Sequence, residues 1–341
     1  MKKKIAIIAA ITFIGLALVV FTYYQNIFGE AIKKKTVLFV NETDNLIDIN
    51  KKIAPISNRP NYFLWLASKK SFTKVKSGRY ILSKGMSNND LVNMLRIGNQ
   101  TAVSVSFNNQ DTLEKFAGRI AEQIATDSIA ILNSFKNEQF LKENNLTEKS
   151  VLQICIPNSY EFYWTVSADQ FRYKLLTEYN RFWNKNRLAK AKALNMTQSE
   201  VITLASIVQK ETTKKIERPI VAGLYINRLK NSWPLQADPT VIYAIKEVKG
   251  QDFVVKRVLN VDLEINTPYN TYKNRGLPPT LISMPDISSI DAVLNYKKHN
   301  YYYMCVDIEN FGYHKFANSL TQHNRNARKY QAWLNKNGVN R

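Results

Sequence analysis

Thr197-Gln198-Ser199-Glu200-Val201-Ile202-Thr203-Leu204-Ala205-Ser206-Ile207-Val208-Gln209-Lys210-Glu211-Thr212 reads as one helix with a carboxylate at its far end. Thr197 and Glu200 have the Thr-x-x-Glu spacing of a capping box, in which each side chain satisfies an exposed backbone N–H. At about 100° per residue, Val201, Leu204, Ala205 and Val208 share one face, and Glu211 falls on it too. Thr203, Ser206 and Lys210 are expected to face away. A carboxyl group in that position meets two effects of the same sign. Desolvation disfavours its ionised form, and so does the negative end of the helix dipole. Both raise its pKa, as a general acid at neutral pH requires. The pattern also fits a frayed last turn with Glu211 in water, or an ion pair with Arg218 or Arg228.

The segments that follow are chemically specific. Pro219 opens a second helix that runs through Val221-Ala222-Gly223-Leu224-Tyr225-Ile226-Asn227-Arg228-Leu229. Leu235-Gln236-Ala237-Asp238-Pro239-Thr240-Val241-Ile242-Tyr243 comes next. Its Asp-Pro-Thr predicts Asp238 at a helix N-cap with Pro239 at the first helical position. The alternative role for Asp238 is a second active-site carboxylate. Thr267-Pro268-Tyr269-Asn270-Thr271-Tyr272 and Gly276-Leu277-Pro278-Pro279 then form loops. Gln236, Tyr269, Asn270 and Tyr272 offer hydrogen bonds and ring faces to a sugar; a rigid surface loop is the plainer reading. His314 is read into a strand paired through a turn at Gly312 with Tyr301–Val306. Asn318 and His323, farther on, are also candidates to touch a ligand.

Taken together, Ala205–Thr212, Ile226-Asn227-Arg228-Leu229, the Leu235–Tyr243 run, Thr267–Tyr272 and Gly276–Pro279 resemble the MltG-type (YceG-like) endolytic murein transglycosylases. Tyr313-His314-Lys315-Phe316-Ala317-Asn318 through His323-Asn324 is a weaker match. The resemblance covers about residues 200–325. It implies a single-pass membrane protein of bacteria with an extracytoplasmic catalytic domain. Such a protein cuts nascent peptidoglycan glycan strands internally, between N-acetylmuramic acid and N-acetylglucosamine, and leaves a 1,6-anhydromuramyl end that terminates elongation. It also implies partnership with peptidoglycan synthases, and it maps the catalytic acid to Glu211. Gln209 stands where the family motif has its first Glu, which removes a like charge that would raise the pKa of Glu211. Thr280 and Asp286 stand where the family commonly has Gly. In this chemistry protonated Glu211 donates to the glycosidic oxygen. The resulting carboxylate then takes the proton of the muramyl C6 hydroxyl as that oxygen closes on C1, so one carboxylate suffices where a hydrolase uses two. The alternatives are a muramidase-type hydrolase using Glu211 and Asp238, and a non-catalytic peptidoglycan-binding scaffold.

Upstream, Leu38-Phe39-Val40 reads as a strand, Asp44–Ile53 and Asn61–Lys69 as helices, and Lys76–Leu82 as a turn into a strand. Ser87 caps a helix striped by Leu91, Met94 and Leu95, and Thr101–Phe107 alternates as a strand. Residues 38–107 therefore form a small α+β module, which the resemblance makes LysM-like. Residues 108–195 read as a helical connecting region ending in the basic Asp169–Leu194 stretch, and 196–341 as the α+β catalytic domain. The whole is assigned to the α+β class.

At the N-terminus, residues 1–4 carry three lysines and read as a cytoplasmic tail. Ile5–Tyr24 is uncharged and long enough to cross a hydrocarbon core of about 30 Å as a transmembrane helix. Tyr23 and Tyr24 suit the interface. No small-x-small cleavage site follows Phe21, which favours an uncleaved inner-membrane anchor over a signal peptide. Residues 25–37 read as a polar linker ending in Lys33-Lys34-Lys35. Long C-terminal portions translocate largely regardless of charge, so the bulk of the chain is expected outside, in the periplasm of a two-membrane cell.

Composition bounds the partners. The 341 residues carry 48 basic and 27 acidic side chains, a net charge of +21, which favours polyanions. Extracytoplasmic placement points to wall polymer and lipid and argues against nucleic acid. Two Cys and three His, with no CxxC or HxxxH, provide no metal site, and no cofactor is expected. Cys155 and Cys305 leave room for a single bridge.

Overall fold

The computed structural model describes residues 2–336, which form two compact units. Met1, the start of the expected tail, and residues 337–341, the end of the expected catalytic domain, lie outside the described residues.

The first unit holds residues 1–105, 121–127 and 159–167. Helix α1, Lys2–Phe28, spans 27 residues and is long and apolar enough to cross a membrane. It outruns the expected Ile5–Tyr24 span, and residues 25–37 are not a free linker. Ile27 packs on the unit's core and the Tyr23 ring meets Trp65 at 5.1 Å. Ala31 and Ile32 are buried, and their backbone N–H groups both donate to the carbonyl of Met86. An apolar pair next to a lysine run is thus drawn into the core, where its hydrophobic gain exceeds that of a solvated tether.

Strand β1 (Thr36–Val40) leads to α2 (Leu46–Ile53) and α3 (Asn61–Lys69), and β2 (Gly78–Leu82) returns antiparallel to β1, with Leu38 opposite Tyr80. Asn45 and Asp48 close a capping box on α2, and Ser87 caps α4 (Asn88–Ile97) as the sequence predicts. Leu38, Val40, Ile49, Ile53, Phe63, Tyr80, Leu91 and Leu95 meet in one core. Strands β3 (Val103–Ser106) and β4 (Ser159–Phe162) make a second two-stranded sheet.

The second unit holds residues 106–120, 128–158 and 168–341. Helices α5 (Leu113–Ala121), α6 (Ser128–Phe135) and α7 (Glu138–Glu143) precede α8 (Ala168–Phe182) and α9 (Lys185–Ala193). Phe116, Phe135 and Phe171 pack ring against ring. The basic Asp169–Leu194 stretch breaks into two helices because Asn184 turns back to cap α9 at the Arg187 N–H.

At its centre lies α10 (Gln198–Glu211), capped by the Thr197–Glu200 box and packed against α11 (Arg218–Lys230), α12 (Asp238–Lys249) and α13 (Ile287–Leu294). Strands β5 (Tyr303–Val306) and β6 (His314–Ala317) pair antiparallel across a turn that includes Gly312 at φ 87°, and α14 (Leu320–Lys336) follows. Gly223 lets α11 approach the chain closely, since a Cβ there would stand 2.3 Å from the Lys297 carbonyl oxygen.

One expectation about α10 is corrected. Thr203 and Ser206 do not face solvent; every residue from Val201 to Gln209 is buried. The polar face is covered by the segment leading into α13, and its groups are used there. Ser206 Oγ donates to Thr203 O and accepts from the Ile282 N–H at 3.0 Å. Gln209 Oε1 accepts from Asp286 N at 2.6 Å and Ser289 Oγ at 3.0 Å. Lys210 does reach outward, to Asp111. Cys155 is buried, Cys305 is partly exposed, and both are free thiols.

Candidate active site

The last turn of α10 delivers Glu211 to the wall of a cleft of about 230 Å³. Leu224, Tyr225 and Arg228 of α11, Leu235, Gln236 and Asp238, Tyr272, and Met304, Cys305, Val306 and His314 of the β5–β6 hairpin complete it. The carboxyl is neither frayed into water nor paired with Arg218, whose guanidinium is engaged by Asp286 at 2.8 Å. Tyr225 Oη donates to Glu211 Oε1 at 2.5 Å. Burial, the strongest influence, pushes the Glu211 pKa up to about 7; Tyr225, His314 and Arg228 restrain the rise, and Asp238 adds to it. Burial also holds the Tyr225 hydroxyl well above its ordinary range, so it remains a donor. A carboxyl poised near neutrality can give a proton and take one back.

The end of α11 and the run after it shape the cleft further. Asn227 Nδ2 donates to the carbonyls of His299 and Tyr301, and Arg228 Nε to that of Tyr302 at 2.7 Å. Arg228 Nη1 donates to Leu235 O at 2.6 Å. Gln236, at φ +49°, bends the chain there, and its N–H donates to Thr271 O. Thr271 Oγ1 then accepts from Ala237 N and lies 2.8 Å from Thr240 Oγ1, which locks the 235–240 run to the 267–272 loop.

Asp238 is not a helix cap. Ala237 occupies the N-cap position without a side-chain bond, and Asp238 is the first helical residue. Its Oδ1 instead accepts from Tyr272 Oη at 2.6 Å beside the cleft. Pro239 follows one place later than expected.

Of the sequence candidates, Glu211, Gln236, Asp238 and Tyr272 meet in this cleft. Tyr269 and Asn270 do not line it. The Tyr269 ring is buried against Tyr243 and its hydroxyl meets Thr280 Oγ1 at 2.7 Å. Asn270 is fully buried, donating to the carbonyls of Leu263 and Ile265 and accepting from Tyr272 N. Both shape the loop that carries Tyr272. Asn318 is exposed ahead of α14, and His323 stacks on Tyr303 at 5.2 Å; neither borders the cleft. Thr280 and Asp286, at the family's glycine positions, tie loops, Asp286 by capping α13 and holding Arg218.

Tyr225 reaches the cleft with no role assigned from sequence, and Arg228, read as an ion-pair alternative for Glu211, and His314, a candidate to touch a ligand, line it too. Tyr225 and Arg228 stand three apart on α11, the spacing of neighbours on one helix face.

Residues 38–329 match the profile of the YceG-like family. The chain belongs to that family. A protein of Bacillus subtilis named endolytic murein transglycosylase is 28% identical over 283 residues, covering 79% of this chain and 76% of the relative. One of the same name from Streptococcus pneumoniae is 26% identical over 327 residues, covering 87% of this chain and 59% of its own length. A crystal structure of a yceG-like protein from Listeria monocytogenes superposes with a TM-score of 0.56 at 27% identity, covering 86% of this chain and 99% of that one.

Proposed function

We propose that this chain is a membrane-anchored endolytic peptidoglycan lytic transglycosylase with Glu211 as its single acid and base. The observation that carries the reading is a protonatable carboxyl, raised to about 7, at the buried end of a helix and open to a polar cleft. Glu211 protonates the glycosidic oxygen between N-acetylmuramic acid and N-acetylglucosamine. The C1–O bond breaks through an oxocarbenium-like state, and the electron pair leaves with the departing sugar. The C6 hydroxyl oxygen then bonds C1, and its proton returns to Glu211, leaving a 1,6-anhydromuramyl end.

Tyr225 orients the carboxyl. Asp238, held by Tyr272, presents negative charge toward the developing cation. Gln236 is proposed to hydrogen-bond the sugars. In the first unit, the β1–α2–α3–β2 order with its antiparallel strand pair supports a LysM-like module that grips glycan. The apolar α1 supports single-pass anchoring with the bulk of the chain outside the inner membrane, where synthases extend the strands.

Mass spectrometry of purified glycan incubated with the full chain in detergent tests this. The expected product carries anhydromuramyl ends, and Glu211→Gln abolishes it, a loss of at least about 10²-fold. Water-derived reducing ends would move the reading to a two-carboxylate hydrolase, and uncut glycan to a scaffold.

A further inference from the structure

One buried acid–base pair beside the cleft has no part in the chemistry above. Glu217 lies in the turn that enters α11 and is almost fully buried. Its carboxylate does not cap that helix. Oε1 accepts from the His314 backbone N–H at 2.6 Å, and Oε2 lies 2.9 Å from His314 Nδ1. The two contacts grip backbone and ring together and set the imidazole's orientation. With Nδ1 turned to Glu217, His314 lines the same cleft as Glu211, and the two influence each other's charge.

We propose that Glu217 is a positioning residue that keeps His314 protonated at the cleft wall, so that the Glu211 carboxylate formed by proton donation has a fixed counter-charge. The proposal rests on the function given above. His314 keeps its proton throughout: Glu211 alone gives the proton to the leaving oxygen and alone recovers it from the C6 hydroxyl. The imidazolium stabilises the interval between the two transfers, when Glu211 is charged and partly desolvated.

The surrounding charges agree with this role. Burial alone would lower the His314 pKa, yet the Glu217 hydrogen bond and charge, with help from Glu211, leave it raised. The Glu217 carboxyl is raised by burial, but His314 more than reverses this, so its pKa is lowered. The other ionisable groups at the cleft are Tyr225 and Arg228 from α11, Asp238 from α12, Tyr272 from its loop and Cys305 from β5. Arg228 stays charged, and Tyr225 and Tyr272 stay neutral, across neutral pH. His314 and Glu211 are therefore the pair whose charges exchange influence there.

The test measures kcat and KM for anhydromuramyl product from pH 5 to 9, using the full chain and its Glu217→Gln, His314→Gln, His314→Lys and Glu211→Gln forms. His314→Gln is expected to lower kcat roughly 10–100-fold with little change in KM, and to move the alkaline limb to higher pH, because Glu211 loses a cation that favours its ionised form. His314→Lys restores a cation and most of the rate. Glu217→Gln retains an acceptor but not the charge, so its deficit is large at pH 7 and shrinks toward pH 5, where His314 protonates unaided. A wild-type limb in His314→Gln, or His314→Lys no better than His314→Gln, overturns the proposal. Should those variants unfold, ¹⁵N-histidine spectra of the unaltered chain decide it: a neutral His314 at about pH 7.5, where an unassisted imidazole has lost its proton, overturns it, and a protonated one supports it. If the unaltered chain makes no anhydromuramyl product, the function falls and this inference with it. If it does, Glu211→Gln abolishes it and His314→Gln is unaffected, only the inference falls.

Discussion

The hydroxyl of Tyr225 lies 2.5 Å from Oε1 of Glu211, a hydrogen bond that holds the candidate acid in place. It joins the end of one helix to the middle of the next. Because the bond favours the charged form, it restrains a pKa that burial drives up. Tyr225→Phe should therefore raise the Glu211 pKa further, move the alkaline limb of kcat/KM to higher pH and lower kcat about tenfold. The aromatic packing survives, and the stability change should stay near the roughly 1 kcal/mol of one hydrogen bond. Calorimetry beside the pH profile checks both, and an unmoved limb would exclude this role for Tyr225.

Asp238 offers a contrasting case. As a helix cap, it would give an active, slightly altered Asp238→Asn protein. As a cleft carboxylate held by Tyr272, it should give a protein of nearly unchanged stability and at least tenfold lower kcat. Asp238 raises the Glu211 pKa, so its neutralisation should also shift the alkaline limb to lower pH. Tyr272→Phe, which keeps the charge and loses the tether, should show a milder rate loss with no such downward shift. Full activity in Asp238→Asn would refute the active-site role.

Local signals were legible in the sequence, and tertiary ones were not. The Thr197–Glu200 box, the Ser87 cap and the His314 strand depend on near neighbours and appear where their spacing puts them. The burial of Glu211 follows from the helical period. The burial of Ser206 and Gln209 does not, because polar residues mark a solvent face unless a distant segment brings partners, and residues 282–289 do so. Asn270 and Tyr269 illustrate the same limit. A loop rich in hydrogen-bonding side chains looks like a binding surface, yet here those groups bond the loop to itself and to Thr280. Tyr225 and His314 converge on the cleft from 89 positions apart, 314 minus 225, with no shared local pattern.

Residues 29–36 should matter to folding although all but Thr36 precede the first strand pair's register. The carbonyls of Ala31 and Ile32 accept from Asn58 and Gly85, and Lys33 N donates to Ile56 O. Burying Ile32 contributes roughly 1.5–3 kcal/mol. A chain beginning at residue 37 should thus be at least about 2 kcal/mol less stable to urea than one beginning at residue 29. Equal midpoints would return residues 25–37 to the linker role.

The same burial that raises the Glu211 pKa should weaken the fold at alkaline pH. Its carboxyl has an ordinary value of 4.5 when the chain is unfolded and about 7 when folded. Between those values the folded chain holds a proton that the unfolded chain has lost, so unfolding releases protons and stability falls as pH rises. The loss begins near pH 4.5 and is complete just above pH 7. At about 1.4 kcal/mol per unit, the full difference is about 3.5 kcal/mol, reduced to the extent that water in the cleft solvates the charge. Glu211→Gln removes this titration. It keeps the shape of the side chain and its carbonyl still accepts from Tyr225. The raised His314 pKa makes a second contribution, present below pH 6.5 and lost as pH rises through the folded value, but that pair remains in both proteins and largely cancels in their comparison. The Glu211→Gln variant should accordingly match the parent in unfolding free energy from urea titration at pH 5 and exceed it by about 2 kcal/mol at pH 8. A constant difference between the two pH values would mean that Glu211 is solvated in the fold, and with it the case for a neutral-pH acid would be lost.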